Sequence, residues 1–257
     1  MSEERSAEYQ VQRAGKLVSD RLAVEEPMQI TVDGCPIAVV MRTPGHDEDL
    51  VRGFLLTEGV LRSLSLVSRI DLEQKQNHAL VFLKDDAEVD YEKQQRNLYS
   101  ASSCGICGKA SIESIRQELP RLESGFAVRK EVLLSLPDKM RETQETFEKT
   151  GGLHAAALFT QDGELVVLRE DVGRHNAIDK VIGWAAAEEI DFSHLILQVS
   201  GRVSFEVMQK SHAVGIPVIS AISAPTSLAV DFAQESGQTL IGFLRPPSYN
   251  VYSGEVV

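Results

Sequence analysis

Residues 195–221, LILQVSGRVSFEVMQKSHAVGIPVISA, decide the fold of this chain of 257 residues. They begin an alternation of continuously apolar runs and amphipathic stretches. The predicted strands and helices are, in order, Leu195–Val199, Phe205–Ala213, Pro217–Ala221, Ser227–Glu235 and Thr239–Leu244. Buried strands that alternate with helices of about a dozen residues are typical of a mostly parallel sheet covered by helices on both faces. The sequence therefore predicts an α/β domain.

The same pattern starts earlier in the chain. Leu153–Thr160 and Leu165–Leu168 are predicted strands joined by the turn Gln161-Asp162-Gly163, and a helix is expected over Asn176–Glu189. A second helix is predicted from about Pro137 to Lys149. We assign residues 101–257 to this α/β domain.

Residues 1–100 predict a smaller N-terminal α+β domain. Met28–Val32 and Pro36–Met41 form a predicted hairpin, because Asp33-Gly34 supplies the positive φ angles of a tight turn. A helix is expected between Thr43 and Gly59, whereas polar residues 1–20 are expected to lack regular structure. The remaining expected elements are strands near Arg69–Leu72 and Ala79–Leu83 and a helix at 110–119.

Charge and composition exclude several classes of protein. The net charge of −12 argues against non-specific binding to nucleic acid. No apolar run reaches the length of a membrane span, and the acidic, polar start Met1–Arg5 does not resemble a secretory signal. Three cysteines are too few for a disulfide framework. We therefore expect a cytoplasmic protein with neither a nucleic acid nor a membrane partner.

Two of the three cysteines, Cys104 and Cys107, lie in a predicted loop before a helix. Thiols at this spacing form a disulfide, supply half of a metal site or carry sulfur. The helix N-terminus and Lys109 favour the thiolate of Cys107, whereas Cys104 lies farther from the helix. Cys35, at the turn of the predicted hairpin, is interpreted as a small structural residue.

Polar residues cluster where predicted strands end, and open α/β sheets bind ligands at the carboxyl ends of their strands. Arginine, histidine and small residues at helix N-termini suit an anion such as a phosphate, although a capped helix with surface charges is the alternative. His154 starts a predicted strand, where a histidine is more often a core residue, whereas Gly151 and Gly152 just before it indicate close backbone packing and favour a functional role. The candidate ligand-binding residues from these clusters are His154, Arg174, His175, Asn176, Ser200, Gly201, Arg202, Phe243 and Arg245.

A zinc-dependent deaminase-like site is the main competing interpretation. Cys104, Cys107 and His154 would supply three zinc ligands. However, zinc deaminases place His-x-Glu before Pro-Cys-x-x-Cys, whereas here the cysteines come first. The residue two positions after His154 is Ala156, so the glutamate that moves protons is missing.

Together these motifs resemble the FdhD family, the formate dehydrogenase accessory sulfurtransferases. The Glu170–Lys180 block is highly specific, whereas Cys-x-x-Cys alone is not. The matching segments are Thr57–Gly59, Ser102–Gly108, Thr150–His154, Glu170–Lys180, Ser200–Arg202 and Gly242–Arg245.

The resemblance implies a sulfurtransferase that accepts sulfur from a cysteine desulfurase as a cysteine persulfide. It passes the sulfur to the molybdenum cofactor, a bis-molybdopterin guanine dinucleotide, before insertion into the catalytic subunit of formate dehydrogenase. It also implies a homodimer and a cytidine-deaminase-like three-layer α/β/α core without deaminase activity. No permanent metal is expected, and a non-catalytic cofactor chaperone remains an alternative.

The resemblance also assigns residues to roles. Cys104 and Cys107 are the persulfide candidates, with Cys104 preferred as the carrier. The segment that matches the cofactor-binding stretch of the family is Phe243, Leu244, Arg245, Pro246, Pro247 and Ser248.

Overall fold

The computed structural model of this chain describes residues 5–74, 76–87, 89–90, 119–123 and 126–257. Its strands are β1 (Ser6–Arg13), β2 (Lys16–Ala23), β3 (Glu26–Val32), β4 (Cys35–Arg42), β5 (Val67–Asp71), β6 (His78–Leu83), β7 (His154–Thr160), β8 (Leu165–Asp171), β9 (Leu195–Val199), β10 (Val218–Ala221), β11 (Thr239–Arg245) and β12 (Ser248–Ser253). Its helices are α1 (Asp47–Thr57), α2 (Lys130–Glu142), α3 (Glu145–Thr150), α4 (Arg174–Ala187), α5 (Phe205–Ala213) and α6 (Ser227–Ser236).

The core is a six-stranded sheet with the order β12-β11-β10-β9-β7-β8. Among the described strands, β9, β10 and β11 are parallel, whereas the other three neighbouring pairs are antiparallel. The prediction of a mostly parallel sheet is therefore wrong. Strands β7 and β8 form a hairpin around Gly163, and β11 and β12 form another at the opposite edge of the sheet. Parallel neighbours require a long crossover connection, usually a helix, and neither of these edge pairs has one.

Helices cover both faces of this sheet, as predicted. Alternate residues of the strands, such as Leu158 and Leu197, pack with α4, α5 and α6. The intervening residues, such as Phe159 and Ile196, pack with Leu133 and other side chains of α2. Because neighbouring residues of a strand point to opposite faces, the continuously apolar strands form a three-layer α/β/α core. The finer prediction of a cytidine-deaminase-like arrangement stays a prediction.

A second, four-stranded sheet has the order β4-β3-β6-β5. The predicted hairpin is present as β3 and β4, with Asp33 and Gly34 at φ 45° and 81°. The apolar face of α1, including Leu50, Val51 and Leu55, packs on this sheet. The sheet uses residues 26–83, and the proposed domain boundary at residue 100 lies outside the described residues and stays a prediction.

Three elements differ from the sequence-based expectations. Residues 6–23 form the hairpin β1–β2, turned by Ala14 and Gly15 at φ 50° and 80°, a turn that the polar composition concealed. The helix expected from Pro137 is two helices, α2 and α3, and Pro137 lies inside α2, because the apolar side chains before it belong to the same buried face. Strand β12 follows Pro246-Pro247 and was not predicted.

Helices α1 and α4 join the two sheets through an unusually close contact. A Cβ atom added to Gly53 would lie 1.9 Å from the carbonyl oxygen of Asp179, and one added to Gly183 would lie 1.9 Å from that of Asp49. Both distances are impossible for a real side chain, so each glycine allows the backbone of one helix to contact the backbone of the other.

Within the described part of the chain, no helix is long and apolar enough to cross a membrane.

Candidate functional site

The mixed strand directions bring most of the predicted site segments to one edge of the core sheet. The carboxyl ends of the parallel strands β9, β10 and β11 lie at this edge. Strand β7 runs antiparallel to both of its neighbours, so its first residue, His154, and the last residue of β8, Asp171, lie at the same edge. Helices α4, α5 and α6 follow the ends of β8, β9 and β10 and begin here.

His154, Gly201 and Arg174 meet at this edge. A Cβ atom added to Gly201 would lie 3.3 Å from His154 Nδ1 and 3.6 Å from Arg174 Cδ. His154 is half-buried, and burial and the positive charge of Arg174 lower its pKa, so the imidazole is neutral near pH 7. Glycine at position 201 leaves space between a neutral imidazole and a guanidinium group.

Ser200 and Arg202, on either side of this glycine, differ in role. The Ala155 N–H donates to Ser200 Oγ at 2.9 Å, and the Ser200 N–H donates to the Ala155 carbonyl at 3.0 Å. These bonds extend the pairing of β7 and β9 past the last residue of β9. Arg202 is exposed, and its charge also lowers the pKa of His154. Ser200 thus shapes the edge, while Arg202 presents a cation there.

His175 and Asn176 lie beside Arg174 on α4 but are directed to other parts of the protein. His175 is buried, with Nε2 3.4 Å from Ser204 Oγ at the start of α5. Asn176 Nδ2 donates to the Met41 carbonyl at 2.7 Å and to Asp171 Oδ1 at 2.9 Å. Their predicted contacts with a cofactor stay predictions, and Arg174 is the residue of this group next to His154.

Asp171 is fully buried and links α4 to the segment before α1. Its Oδ2 atom accepts from the Thr43 N–H at 3.2 Å and pairs with Lys180 Nζ at 2.7 Å. Its Oδ1 atom accepts from the Gly173 N–H at 2.8 Å and from Asn176 Nδ2. A carboxylate with these four donors is a structural anchor.

Glu170 has a structural role as well. Its side chain is buried, Oε2 accepts from the Thr146 N–H at 2.9 Å, and Oε1 accepts from the Phe147 N–H at 2.7 Å. Both donors belong to the first turn of α3, whose N-cap residue, Gln144, makes no side-chain capping bond. Glu170 therefore satisfies the free N–H groups of that helix from a distant strand.

A second buried charge cluster lies between α1, α4 and α5. Lys210 Nζ is 2.9 Å from both carboxylate oxygens of Asp179 and 2.8 Å from Glu58 Oε1, and Thr57 Oγ1 donates to Asp179 at 2.7 Å. Burial lowers the pKa of Lys210, but the charges of Asp179 and Glu58 outweigh burial and raise it. Burial raises the pKa of Asp179 to about 6 against the attraction of Lys210.

Sequence reasoning did not find the structural partners Thr43, Glu58 and Lys210. The sequence gives no signal for Lys210, whose neighbours Gln209 and Ser211 are polar, although the structure buries every residue from Val207 to His212. A lysine in such a position needs an anionic partner. The identity of that partner depends on the packing of α1 against α4, which no local pattern reveals.

The segment from Phe243 to Ser248 lies at the same edge, at the end of β11. Phe243 has φ 50° and is 42% exposed, and the register with β12 shifts between Gly242 and Arg245. Such an irregularity turns a side chain out of the sheet. Arg245 is exposed, and its Nε donates to the Ile222 carbonyl at 3.2 Å, whereas Leu244 is buried in the core.

The remaining residues of this segment, Pro246, Pro247 and Ser248, are exposed and form the turn into β12. The Pro246–Pro247 peptide bond is cis. Ser248 Oγ donates to the Arg245 carbonyl at 3.3 Å. The turn therefore presents an open surface next to Phe243.

The predicted sulfur-carrying residues, Cys104 and Cys107, lie outside the described residues. Cys35 starts β4 and is half-buried. Within the described ranges, no group of three or more His, Cys, Asp or Glu side chains is arranged to hold a metal ion. The positive charges of Arg174 and Arg202 act on His154 against the charge of Asp171, and they disfavour a cation beside the ring.

Comparison with known proteins adds independent information. Residues 23–256 match the model of the FdhD/NarQ family. The chain is 48% identical over 247 residues to a protein of Streptomyces coelicolor named "Sulfur carrier protein FdhD", covering 91% of this chain and 88% of the relative. It is 47% identical over 235 residues to a protein of the same name from Sulfolobus acidocaldarius, covering 91% and 89%.

The fold also matches a solved structure. The crystal structure of a protein from Desulfotalea psychrophila, assigned as a formate dehydrogenase accessory protein, superposes with a TM-score of 0.77. The match covers 97% of this chain and 96% of that chain at 24% sequence identity. At this identity the likeness establishes the shared fold.

Proposed function

The chain belongs to the FdhD/NarQ family, and on that premise we propose that it is a sulfurtransferase that supplies sulfur to the molybdenum cofactor of a formate dehydrogenase. The names of its relatives support the coarse part, sulfur transfer. The cofactor, a bis-molybdopterin guanine dinucleotide, enters as substrate. The proposed partners are a cysteine desulfurase, the catalytic subunit of formate dehydrogenase and a second copy of this chain, all in the cytoplasm.

One observation carries the cofactor part of the proposal: His154, Arg174 and Arg202 gather at one sheet edge, together with the exposed ring of Phe243. A guanine dinucleotide brings phosphates and purine faces. Arginine and helix N-termini bind phosphates, and an exposed aromatic ring stacks on a base. The chemistry at the edge therefore fits both parts of such a ligand.

We assign the first chemical step to Cys104. Its thiolate attacks the outer sulfur of a persulfide on the desulfurase. The sulfur–sulfur bond of the donor breaks, and its electron pair leaves with the desulfurase cysteine as a thiolate. Cys104 becomes the persulfide, and no external oxidant or reductant is needed.

Cys107 is the nucleophile of the second step. Its thiolate attacks the inner sulfur of the Cys104 persulfide, and the outer sulfur leaves with the electron pair as hydrosulfide for the cofactor. The two cysteines are left as a disulfide, which a cellular dithiol reduces before the next cycle. This sequence explains why the motif contains two thiols rather than one.

A second candidate function is that of a chaperone that binds and escorts the cofactor without carrying sulfur. The cationic side chains and the exposed ring of Phe243 at the same sheet edge favour this alternative equally, because cofactor binding is common to both functions. The two are separated by the thiols. A chaperone in which Cys104 and Cys107 are both replaced by Ala keeps supporting formate dehydrogenase, whereas a sulfurtransferase does not.

The decisive experiment is the intact mass of the protein after incubation with a cysteine desulfurase and free cysteine. We expect the wild-type chain and the matched control Cys35→Ala to gain the mass of one sulfur atom, reversibly on reduction. Cys104→Ala should gain none, and Cys107→Ala should gain the sulfur but fail to release it as hydrosulfide. No gain in the wild-type chain, beside an active desulfurase, would rule out sulfur transfer and favour the chaperone.

A further inference from the structure

A cleft of about 1210 Å³ lies at the C-terminal ends of α4 and α5, whereas the N-terminal ends of both helices lie at the sheet edge described above. Its described lining comes from residues 48–70, which contain α1 and the edge strand β5, from residues 186–214, and from Leu119. We call it the α4–α5 cleft. Pockets for small ligands usually measure about 300–1,000 Å³, so this cleft is large enough for a segment of another protein.

Partly exposed apolar side chains form much of the lining of the α4–α5 cleft. A contiguous apolar surface that is open to water is rare on a monomer and marks a site of contact with a partner. The side chains concerned include Leu56, Leu64, Val67, Ile190, Phe192 and Val214. We therefore expect the occupant of the cleft to bury apolar side chains against them.

The charged residues of the described lining have a positive surplus. They are three arginines, Arg52, Arg62 and Arg69, and two carboxylates, Glu48 and Glu189. Arg52 pairs with Glu48, whereas Arg62 is exposed and forms no ion pair with any described residue. In a chain with a net charge of −12, arginines beside an apolar surface favour a partner whose apolar side chains stand next to carboxylates.

The cleft also lies within reach of the predicted sulfur carrier. Cys104 precedes Leu119 by 15 residues, and an extended chain of that length spans at most about 54 Å. Helix α4, with 14 residues, is about 21 Å long and separates the cleft from Arg174 at the sheet edge. The chain length therefore allows the Cys104 thiol to meet a donor in the cleft as well as a cofactor at the sheet edge.

We propose that the α4–α5 cleft is the docking site of the sulfur donor. It receives a segment of the cysteine desulfurase in which apolar side chains stand beside carboxylates. The proposal rests on the proposed function for the identity of the donor and assigns the surface that the donor contacts. Donor and cofactor then bind at opposite ends of α4, so that neither one blocks the other.

The first test measures, by intact mass, the rate of persulfide formation on Cys104 at increasing concentrations of a purified cysteine desulfurase. Arg62→Glu should raise the half-saturating desulfurase concentration about 5-fold or more and leave the maximal rate unchanged, because it places a like charge opposite the carboxylates of the donor. Arg62→Lys should behave like the wild-type chain. So should Arg21→Glu, the same change at an exposed position of β2 outside the cleft. An unchanged half-saturating concentration in Arg62→Glu would overturn the docking site.

A small donor, cysteine persulfide, separates docking from thiol chemistry. It should load Cys104 at the same rate in Arg62→Glu and in the wild-type chain, because it needs no docking surface. A slower rate in the variant would show that Arg62 acts on the thiol instead, which also overturns the proposal. If neither donor adds sulfur to the wild-type chain, the proposed function is contradicted, and the occupant of the cleft is then decided by crosslinking.

Photo-crosslinking identifies the occupant directly. The photoreactive residue p-benzoylphenylalanine is introduced at position Leu64 of the full chain and, as the control, at the exposed position Leu165 of β8. After irradiation with the desulfurase, we expect position Leu64 alone to be joined to a desulfurase peptide with apolar and acidic residues. A crosslink to residues 91–118 of the same chain, a crosslink to a second copy, or none at all would overturn the proposal.

Discussion

Lys180 Nζ lies 2.7 Å from Asp171 Oδ2, and both side chains are almost completely buried. The same ammonium donates to the Thr43 carbonyl at 2.8 Å. Burial lowers the pKa of Lys180, and the charge of Asp171 opposes that shift. The pair therefore connects the segment that precedes α1 to helix α4 and fixes one sheet relative to the other.

Asp171→Asn should lower the free energy of unfolding by about 3–5 kcal/mol, because it leaves the Lys180 ammonium buried without its anion. Chemical denaturation followed by circular dichroism measures the change. Asp162→Asn, which breaks the exposed pair with Arg129, is the control and should change stability by less than about 1 kcal/mol.

The same pair gives a double-mutant cycle. Asp171→Asn combined with Lys180→Met should cost less than the sum of the single changes, since removing both charges leaves neither one buried alone. Strict additivity would show that the two groups do not interact in the folded state.

Gly53→Ala should lower the free energy of unfolding by about 3 kcal/mol or more. Its new Cβ atom would lie 1.9 Å from the Asp179 carbonyl oxygen and would push α1 away from α4. Gly152→Ala is the matched control, since the nearest atom to its Cβ would be 3.7 Å away. Thermal unfolding compares the two variants. Similar melting temperatures would contradict the close contact of α1 and α4.

Lys210→Met should destabilise the chain more at pH 8 than at pH 5. The pKa of Asp179 is raised in the folded state from 3.8 to about 6, so its contribution to stability is present in acid and is lost as the pH rises through this window. Without the positive charge of Lys210, the pKa of Asp179 rises further. We expect a loss of about 3–5 kcal/mol at pH 8 and a clearly smaller loss at pH 5.

Urea denaturation at the two pH values checks the prediction for Lys210. Lys149→Met, at an exposed position of α3, serves as the control and should alter stability by less than about 0.5 kcal/mol at either pH. A Lys210→Met loss that is independent of pH would mean that Asp179 does not titrate in this range.

Glu170→Gln should reduce stability by about 1–2 kcal/mol, because an amide accepts the Thr146 and Phe147 N–H groups less strongly than a carboxylate and loses the interaction with the helix dipole. Amide hydrogen exchange should speed up at these two residues first. Glu164→Gln, at an exposed position, should leave their exchange rates unchanged.

The sequence predicted the local elements of the core well, because periodicity is a local property. Strand β9 and helix α5 have the predicted bounds, and Asp33-Gly34 forms the predicted turn. Strand direction was harder. The apolar run of β7 resembles a buried parallel strand. However, the short turn between β7 and β8 makes these two strands antiparallel, and β7 also pairs antiparallel with β9.

For the candidate site residues, the sequence predicted their position in the fold, whereas their roles stay predictions. The strand ends that carry His154, Arg174 and Arg202 do lie at one edge. Asn176, however, donates its amide to Met41 and Asp171, although in the sequence it looks as suitable for a ligand as Arg174. Which polar groups are used within the fold depends on long-range contacts, and a linear motif does not contain them.

The Glu170–Lys180 block, the most specific motif of the chain, has a consequence for recognising related proteins. Its acids and Lys180 anchor α3, α4 and the segment before α1, whereas Arg174 is the member that lies against Gly201 at the sheet edge. The acids and Lys180 of the block are thus a signature of architecture, whereas Arg174 belongs to the proposed binding edge. A homologue that had lost the thiols would still carry these anchoring residues, so membership of the family and competence in sulfur transfer are separable properties.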